Sequence, residues 1–168
     1  RVVVSGIWQV PSDGRSAIWR DWQISATVTA QSGGPFTPRL SFDNSNTGNG
    51  SGATFASDRP DVVNGQAPPG VPAYRYNGQT FVVPPPFTFG NAPRNLLTGP
   101  AYAALDLLVA RRVPMGAQRA LELRLEIFNL FNRRNDQLPD SFVDRATFGH
   151  SLATYPPRQV QLAFRFSF

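Results

Sequence analysis

The stretch Ala120-Leu121-Glu122-Leu123-Arg124-Leu125-Glu126-Ile127-Phe128-Asn129-Leu130-Phe131-Asn132 can be read as a helix or as a strand. Leu, Glu and Arg are good helix formers. A helix, however, would turn successive leucines about 200° from one another and scatter them round its surface, whereas a strand collects Leu121, Leu123, Leu125 and Ile127 on one side. Glu122, Arg124 and Glu126 then share the other side. Pattern outweighs propensity, and the segment is a predicted strand.

Four more segments carry the same two-residue period. Near residues 1–10, Val2, Val4, Trp8 and Val10 oppose Ser5 and Gln9. Over residues 22–32, Trp22, Ile24, Ala26, Val28 and Ala30 oppose Gln23, Ser25, Thr27, Thr29 and Gln31. Over residues 101–113, Ala103, Leu105, Leu107 and Val109 face away from Asp106. Over residues 158–168, Val160, Leu162, Phe164, Phe166 and Phe168 oppose Gln159, Gln161, Arg165 and Ser167. With residues 120–132 this makes five predicted antiparallel strands and an all-β chain.

The links between them differ in length. Pro11 to Asp21 is moderate and Pro114 to Arg119 short, whereas residues 33–100 and 133–157 form long connections. Antiparallel neighbours therefore have short links at one end and long ones at the other, as in outer-membrane barrels with short periplasmic turns and long external loops. Loops this long are usually functional or mobile. Short extra strands are expected within the first, around Tyr74 to Val83.

The polar sides leave two solvents open for the apolar ones. A soluble sandwich would bury the apolar side under a second sheet. Three features favour lipid. The strands approach the roughly 9 to 11 residues that cross a bilayer at a tilt. Their apolar sides carry no charge over the central span, where an arginine costs about 2 to 4 kcal/mol. Aromatics gather at strand ends: Trp8, Trp19, Trp22, Phe166 and Phe168 at the short-link end, Phe36, Tyr102, Phe131 and Tyr155 at the other, as two interfacial girdles. Asp106, Glu122, Arg124, Glu126 and Arg165 are then lumen-facing and expected to form a cross-strand ladder.

Composition excludes several chemistries. The 168 residues contain no cysteine and one histidine, so disulfides, thiolate metal sites and a cysteine nucleophile are out of reach. The formal charge is +5 and every basic residue is arginine, but the arginines are scattered and form no stripe that would track phosphates. No nucleic-acid partner and no cofactor is expected. No apolar window reaches the roughly 18 to 20 residues of a spanning helix, which leaves barrels untouched. The chain opens on Arg1 and a β-branched run, read here as part of something longer.

Candidate catalytic and metal groups are weak. Glu122 and Glu126 could suggest a carboxylate pair, but Arg124 between them favours two ionised groups over a proton donor. Asp43, Ser45, Thr47 and Gly48 have a faint calcium-loop spacing, with Thr54 where a bidentate glutamate is needed. His150 reads as a loop residue, and Arg133, Arg134 and Arg158 as loop charge. No enzyme is expected.

Four segments carry a family resemblance: RNLLTGPAYAALDLLVARRV (94–113), LELRLEIFNLFNRRN (121–135), ATFGHSLATYPPRQVQLAFRFSF (146–168) and WQISATVTAQSGGPFT (22–37). They resemble the carboxyl-terminal strands of TonB-dependent outer-membrane receptors, closest to the Oar-like group that carries a carboxypeptidase-regulatory-like domain. Gly99-Pro100 before Leu105-Asp106-Leu107, Asn129-Leu130-Phe131-Asn132, and Pro157 to Gln161 match the family's motifs. The resemblance implies a 22-strand barrel of which residues 1–168 supply about five strands, with no plug domain among them. It further implies energy-coupled uptake of a large or scarce ligand. Its implied partners are outer-membrane lipid, an unknown extracellular ligand, the TonB complex through parts outside this chain, and the barrel-assembly machinery, for which Phe164, Phe166 and Phe168 would be the assembly signal.

Overall fold

The computed structural model describes residues 1–11, 20–48, 58–116 and 118–168. The described residues fall into two compact units, one of Arg1–Ser32, Ala101–Asn135 and Tyr155–Phe168, the other of Gly33–Pro100 and Asp136–Thr154. No helix occurs among them.

The first unit is one antiparallel sheet. Its strands are β1 (Val2–Gln9), β2 (Trp22–Gln31), β8 (Tyr102–Pro114), β9 (Ala120–Phe128) and β10 (Gln159–Ser167), in the order β1-β2-β8-β9-β10. β1 and β10 are its edges, so it does not close on itself. The register is continuous: Trp22 stands opposite Arg111, Arg111 opposite Leu123, and Leu123 opposite Phe164. One row further, Ile24, Val109, Leu125 and Leu162 align. Because side chains alternate, these two rows and those parallel to them place the apolar sets of all five strands on one side.

That side is open. Val4 is 61% exposed, Leu162 71% and Phe164 73%. In a sandwich these side chains would form the core.

β9 ends four residues earlier than its periodicity suggests, because Asn129 to Asn132 form a turn. Asn129 and Asn132 have φ of 50° and 51°, a left-handed conformation that asparagine tolerates better than most residues. The Asn129 side chain closes the turn on Arg133, accepting its N–H at 3.0 Å and donating to its carbonyl at 2.9 Å. The Asn132 amide donates to the Asn129 carbonyl, and Asn132 Oδ1 accepts the N–H of Arg158 at the entry to β10. Asn135, only 2% exposed, then substitutes for the departed strand: its Oδ1 accepts the Ala103 N–H at 3.0 Å and its Nδ2 donates to the Ala103 carbonyl at 2.9 Å. One side-chain amide thus satisfies both backbone groups of a residue at the start of β8.

The second unit is built from both long connections. β4 (Asp61–Val63), β6 (Gln79–Val82) and β5 (Ala73–Tyr76) form a three-stranded sheet, and β3 (Pro35–Phe36) pairs with β7 (Leu97–Thr98). The β5–β6 hairpin turns at Asn77-Gly78 with φ of 50° and 80°, the positive pair that a two-residue hairpin requires. Phe36, Leu40, Phe81 and Leu97 from the first connection and Val143 from the second are buried together, and Phe148 packs its ring edge-on to Phe81 at 5.8 Å between centroids. The Ser41 N–H and hydroxyl both donate to the Asp144 carboxylate, again joining the two connections. Where sequence suggested long loops with short strands, there is a unit with its own core.

Gly33 and Gly99 stand at the two ends of the first connection. The Gly99 N–H donates to the Gly34 carbonyl at 2.9 Å, and a Cβ on Gly33 would collide with the Gly99 carbonyl. Only glycine permits that approach.

Replacing Asn135 by alanine leaves two backbone groups of Ala103 without their partners. This should cost about 1 to 3 kcal/mol, measured as a lowered urea midpoint of the intact protein in detergent. An unchanged midpoint would remove Asn135 from the ladder.

Candidate functional site: the two faces of the sheet

The outward side carries Trp8, Trp22 and the β10 aromatics. Trp8 stands opposite Ile24, one strand over and within the apolar set, and is 55% exposed. Phe164, Phe166 and Phe168 are 73%, 52% and 93% exposed, and the last two rings stack at 6.0 Å. All of them lie toward the short-link end. Trp19 falls outside the described residues.

The aromatics at the long-link end are placed differently from expectation. Tyr102 pairs with Gln31 and so shares the side of Asp106, because it is an even-numbered residue in a strand whose outward residues are odd. Tyr155 packs edge-on against it at 5.1 Å, so both leave the outward set. Phe36 is buried in the core of the second unit. Phe131 stays outward, 76% exposed and bordering a shallow recess with Val28, Ala30, Ala103 and Leu105.

Arg111 is the residue that the sequence reading missed. It has the parity of Leu107 and Val109, and its guanidinium lies over the Trp22 ring, 5.4 Å from the centroid. An outward arginine in a barrel costs about 2 to 4 kcal/mol at mid-membrane and about 0 to 1 near an interface. Three residues from the end of β8, Arg111 is near enough to extend its head toward the interface. Its parity was the available signal.

The polar side holds the charges. Arg124 makes ion pairs with both acidic neighbours on its own strand, Glu126 at 3.1 Å and Glu122 at 3.7 Å. The expected cross-strand ladder is therefore replaced by contacts along one strand. Arg165 stands opposite Glu122 in register, while Asp106 is engaged elsewhere, accepting the Asn129 N–H at 2.9 Å. The reason is geometric: residues two apart on a strand share a side, and Arg124 between them spans both carboxylates. Partly exposed pairs of this kind contribute about 0.2 to 1 kcal/mol each.

A second recess, of about 440 Å³, opens on the polar side at the short-link end, with Gln9, Asp21, Gln23, Arg112 and Glu122 among its lining. Its mixed charge suits water or polar chain rather than an apolar ligand.

In the second unit, Asp43 is consumed by its own loop. Partial desolvation raises its carboxyl pKa, but the N–H groups of Gly48, Thr47 and Asn46 and the Ser45 hydroxyl more than offset this and hold it below the ordinary value. Thr54, the weak position of the calcium-loop pattern, lies outside the described residues. His150 is exposed, its Nδ1 3.1 Å from the Phe148 carbonyl oxygen. No group of three His, Asp or Glu side chains that could hold a metal occurs among the described residues.

The loop Pro84 to Gly90 displays aromatics instead. Phe87 adopts φ of 64°, an unusual conformation for a bulky side chain, and is 74% exposed; Phe89 is 68% exposed. The strained turn is held by the Phe87 N–H on the Asn44 carbonyl, and by Asn44 Nδ2 on the carbonyls of Pro85 and Thr88 at 3.0 and 2.9 Å.

The sheet offers one apolar side edged with tryptophan and one polar side carrying charge, which is the division a barrel wall makes between lipid and lumen. A family model described as "Outer membrane beta barrel domain" matches residues 1–161. No curated protein and no solved structure matches the chain. Nearly the whole length is covered by the family match, so the chain belongs to the outer membrane beta barrel domain family and resides in the bacterial outer membrane.

Proposed function

We propose that residues 1–168 are the carboxyl-terminal wall and external loops of a TonB-dependent receptor that takes up a large or scarce ligand by energy coupling. The observation that carries this reading is that the described residues of both long connections fold together into a unit with a shared core. A barrel that only closes a membrane has no need of such an investment in its loops; a receptor that must hold a ligand before admitting it does. The motif resemblance at Gly99-Pro100, Asn129 to Asn132 and Pro157 to Gln161 supports this class.

On this reading the second unit faces the outside, and the Phe87–Phe89 loop presents itself to the ligand. A bulky residue held in a costly conformation and left exposed is a feature that folding alone does not reward. Trp8 and Trp22 form the periplasmic girdle and Phe131 belongs to the external one. Glu122, Arg124, Glu126 and Arg165 line the lumen. Phe164, Phe166 and Phe168 form the assembly signal, displayed as an alternating aromatic row on an exposed edge strand.

Energy coupling is tested by photo-crosslinking the intact protein to TonB in cells. A specific crosslink that vanishes when TonB is deleted is expected; no crosslink under ligand-replete and ligand-starved growth would contradict the receptor reading. Orientation is tested separately. The chain has no cysteine, so Phe89→Cys should react with a membrane-impermeant maleimide on whole cells and Met115→Cys, in the short β8–β9 link, only after lysis; the reverse pattern would invert the assignment. Phe168→Ala should lower the amount of folded protein in the outer membrane without changing the TonB crosslink per folded molecule. Unaltered membrane levels would remove the assembly role.

A further inference from the structure

The turn that ends β9 positions charge as well as chain. Asn129 Oδ1 accepts the Arg133 N–H at 3.0 Å, and Asn132 Oδ1 accepts the Arg158 N–H at 3.0 Å. One four-residue turn thus fixes the backbones of two arginines far apart in sequence, and both side chains are exposed. The ion pairs of the polar side belong to Arg124, and among the described residues neither Arg133 nor Arg158 takes part in one. Arg134, next in sequence, already has an interaction of its own. Arg133 also borders the shallow recess beside Phe131, whose volume is about 260 Å³. Val28 with Leu105 and Ala30 with Ala103 are outward pairs of two neighbouring register rows, and they make that recess apolar. Thr29, Ala104 and Asn129 complete the lining, so Arg133 is its one charged member. Arg158 has the parity of Val160 and Leu162, which is the outward one.

We propose that this ledge binds lipid A, with one acyl chain in the recess against Val28, Leu105 and Phe131 and the phosphates on the guanidiniums of Arg133 and Arg158. Charge complementarity selects the occupant. A planar guanidinium matches a phosphate with two parallel hydrogen bonds, and an uncharged lipid would use neither arginine. A soluble phosphate would use the arginines but gain nothing from the apolar recess; a lipid phosphate brings an acyl chain to it. Both arginines lie past the end of β9 or before the start of β10, at the margin of the sheet where an outward arginine costs about 0 to 1 kcal/mol. The long-link end meets the external leaflet, where a bacterial outer membrane carries its phosphates on lipid A. That choice of leaflet rests on the proposed orientation of the long connections and is independent of coupling to TonB.

The test uses the intact protein in detergent with added bisphosphorylated lipid A, and native mass spectrometry reads its retention. The wild type should hold one molecule. Arg133→Gln and Arg158→Gln should each lower retention by about tenfold, the loss of one charge-assisted contact. Both substitutions keep the backbone N–H that the turn binds, so the turn is left intact. Arg133→Lys should retain more than Arg133→Gln, and Ala30→Trp, which fills the recess and keeps both charges, should also release the lipid. Lipid A stripped of its phosphates should be held no better by the wild type than by Arg133→Gln, and inorganic phosphate should not displace the bound lipid. Folding of each variant is read by its heat-modifiable gel mobility, and Ala30→Trp carries the test if an arginine variant does not fold. Equal retention by the wild type and the folded variants would overturn the proposal, as would displacement by inorganic phosphate, which would make it a bare anion site. Preference for phosphatidylglycerol over lipid A through the same arginines would overturn it too, by placing the site in the other leaflet. Labelling of Phe89→Cys on whole cells keeps the two readings apart: surface labelling with no loss of lipid A in the variants defeats this site and leaves the orientation standing.

Discussion

Everything in the first unit depends on one constraint: side chains alternate across a strand, so a single register decides which solvent each residue meets. Five strands keep that register without a slip from Val2 to Ser167. A shift of one residue at β9 alone would turn Glu122, Arg124 and Glu126 toward lipid and Leu121, Leu123 and Leu125 toward the lumen. Arg124, the one arginine of β9, would cost about 2 to 4 kcal/mol if so misplaced at mid-membrane. That penalty exceeds what any single ion pair on the polar face returns. The register is therefore enforced by two solvents rather than by specific contacts.

What ends the strands is a different chemistry. At the long-link end the sheet gives way to asparagines that supply turns by tolerating positive φ and supply hydrogen bonds by side chain. Asn129, Asn132 and Asn135 make the exit from β9, hold the entry to β10 and complete the ladder at Ala103. The Asn-Leu-Phe-Asn motif is thus a structural lock, and Phe131 is lifted to the outward side by it. Two glycines, Gly33 and Gly99, allow the two ends of the first connection to approach closely.

Period two, together with link lengths, made the five-stranded sheet legible in the sequence, and the outward positions of Trp8, Trp22, Leu123, Leu125 and the β10 aromatics follow from parity alone. Three things were not legible. The core of the second unit joins Phe36, Leu40, Phe81 and Leu97 to Val143, residues far apart in sequence whose spacing carries no period. Tyr102 and Tyr155 lie near a strand end, which suggests a girdle, but the parity of Tyr102 puts it with Asp106, and Tyr155 packs against it. The ladder expected across strands forms along β9, because register states which residues are opposite but not which way long side chains lean. Arg111 shows the same lesson from the other side: its adjacency to Arg112 hides that only one of the two faces outward.

The central claim is that one side of this sheet meets lipid and the other does not. Nitroxide labels placed one at a time from Gln159 to Ser167, in the intact protein reconstituted in bilayers, measure it directly through collision with oxygen and with a water-soluble nickel chelate. Oxygen accessibility should peak at Val160, Leu162, Phe164 and Phe166 and dip at Gln161, Ala163 and Arg165, with the chelate out of phase. Accessibility without a two-residue period, or chelate access at Leu162 and Phe164, would contradict the account.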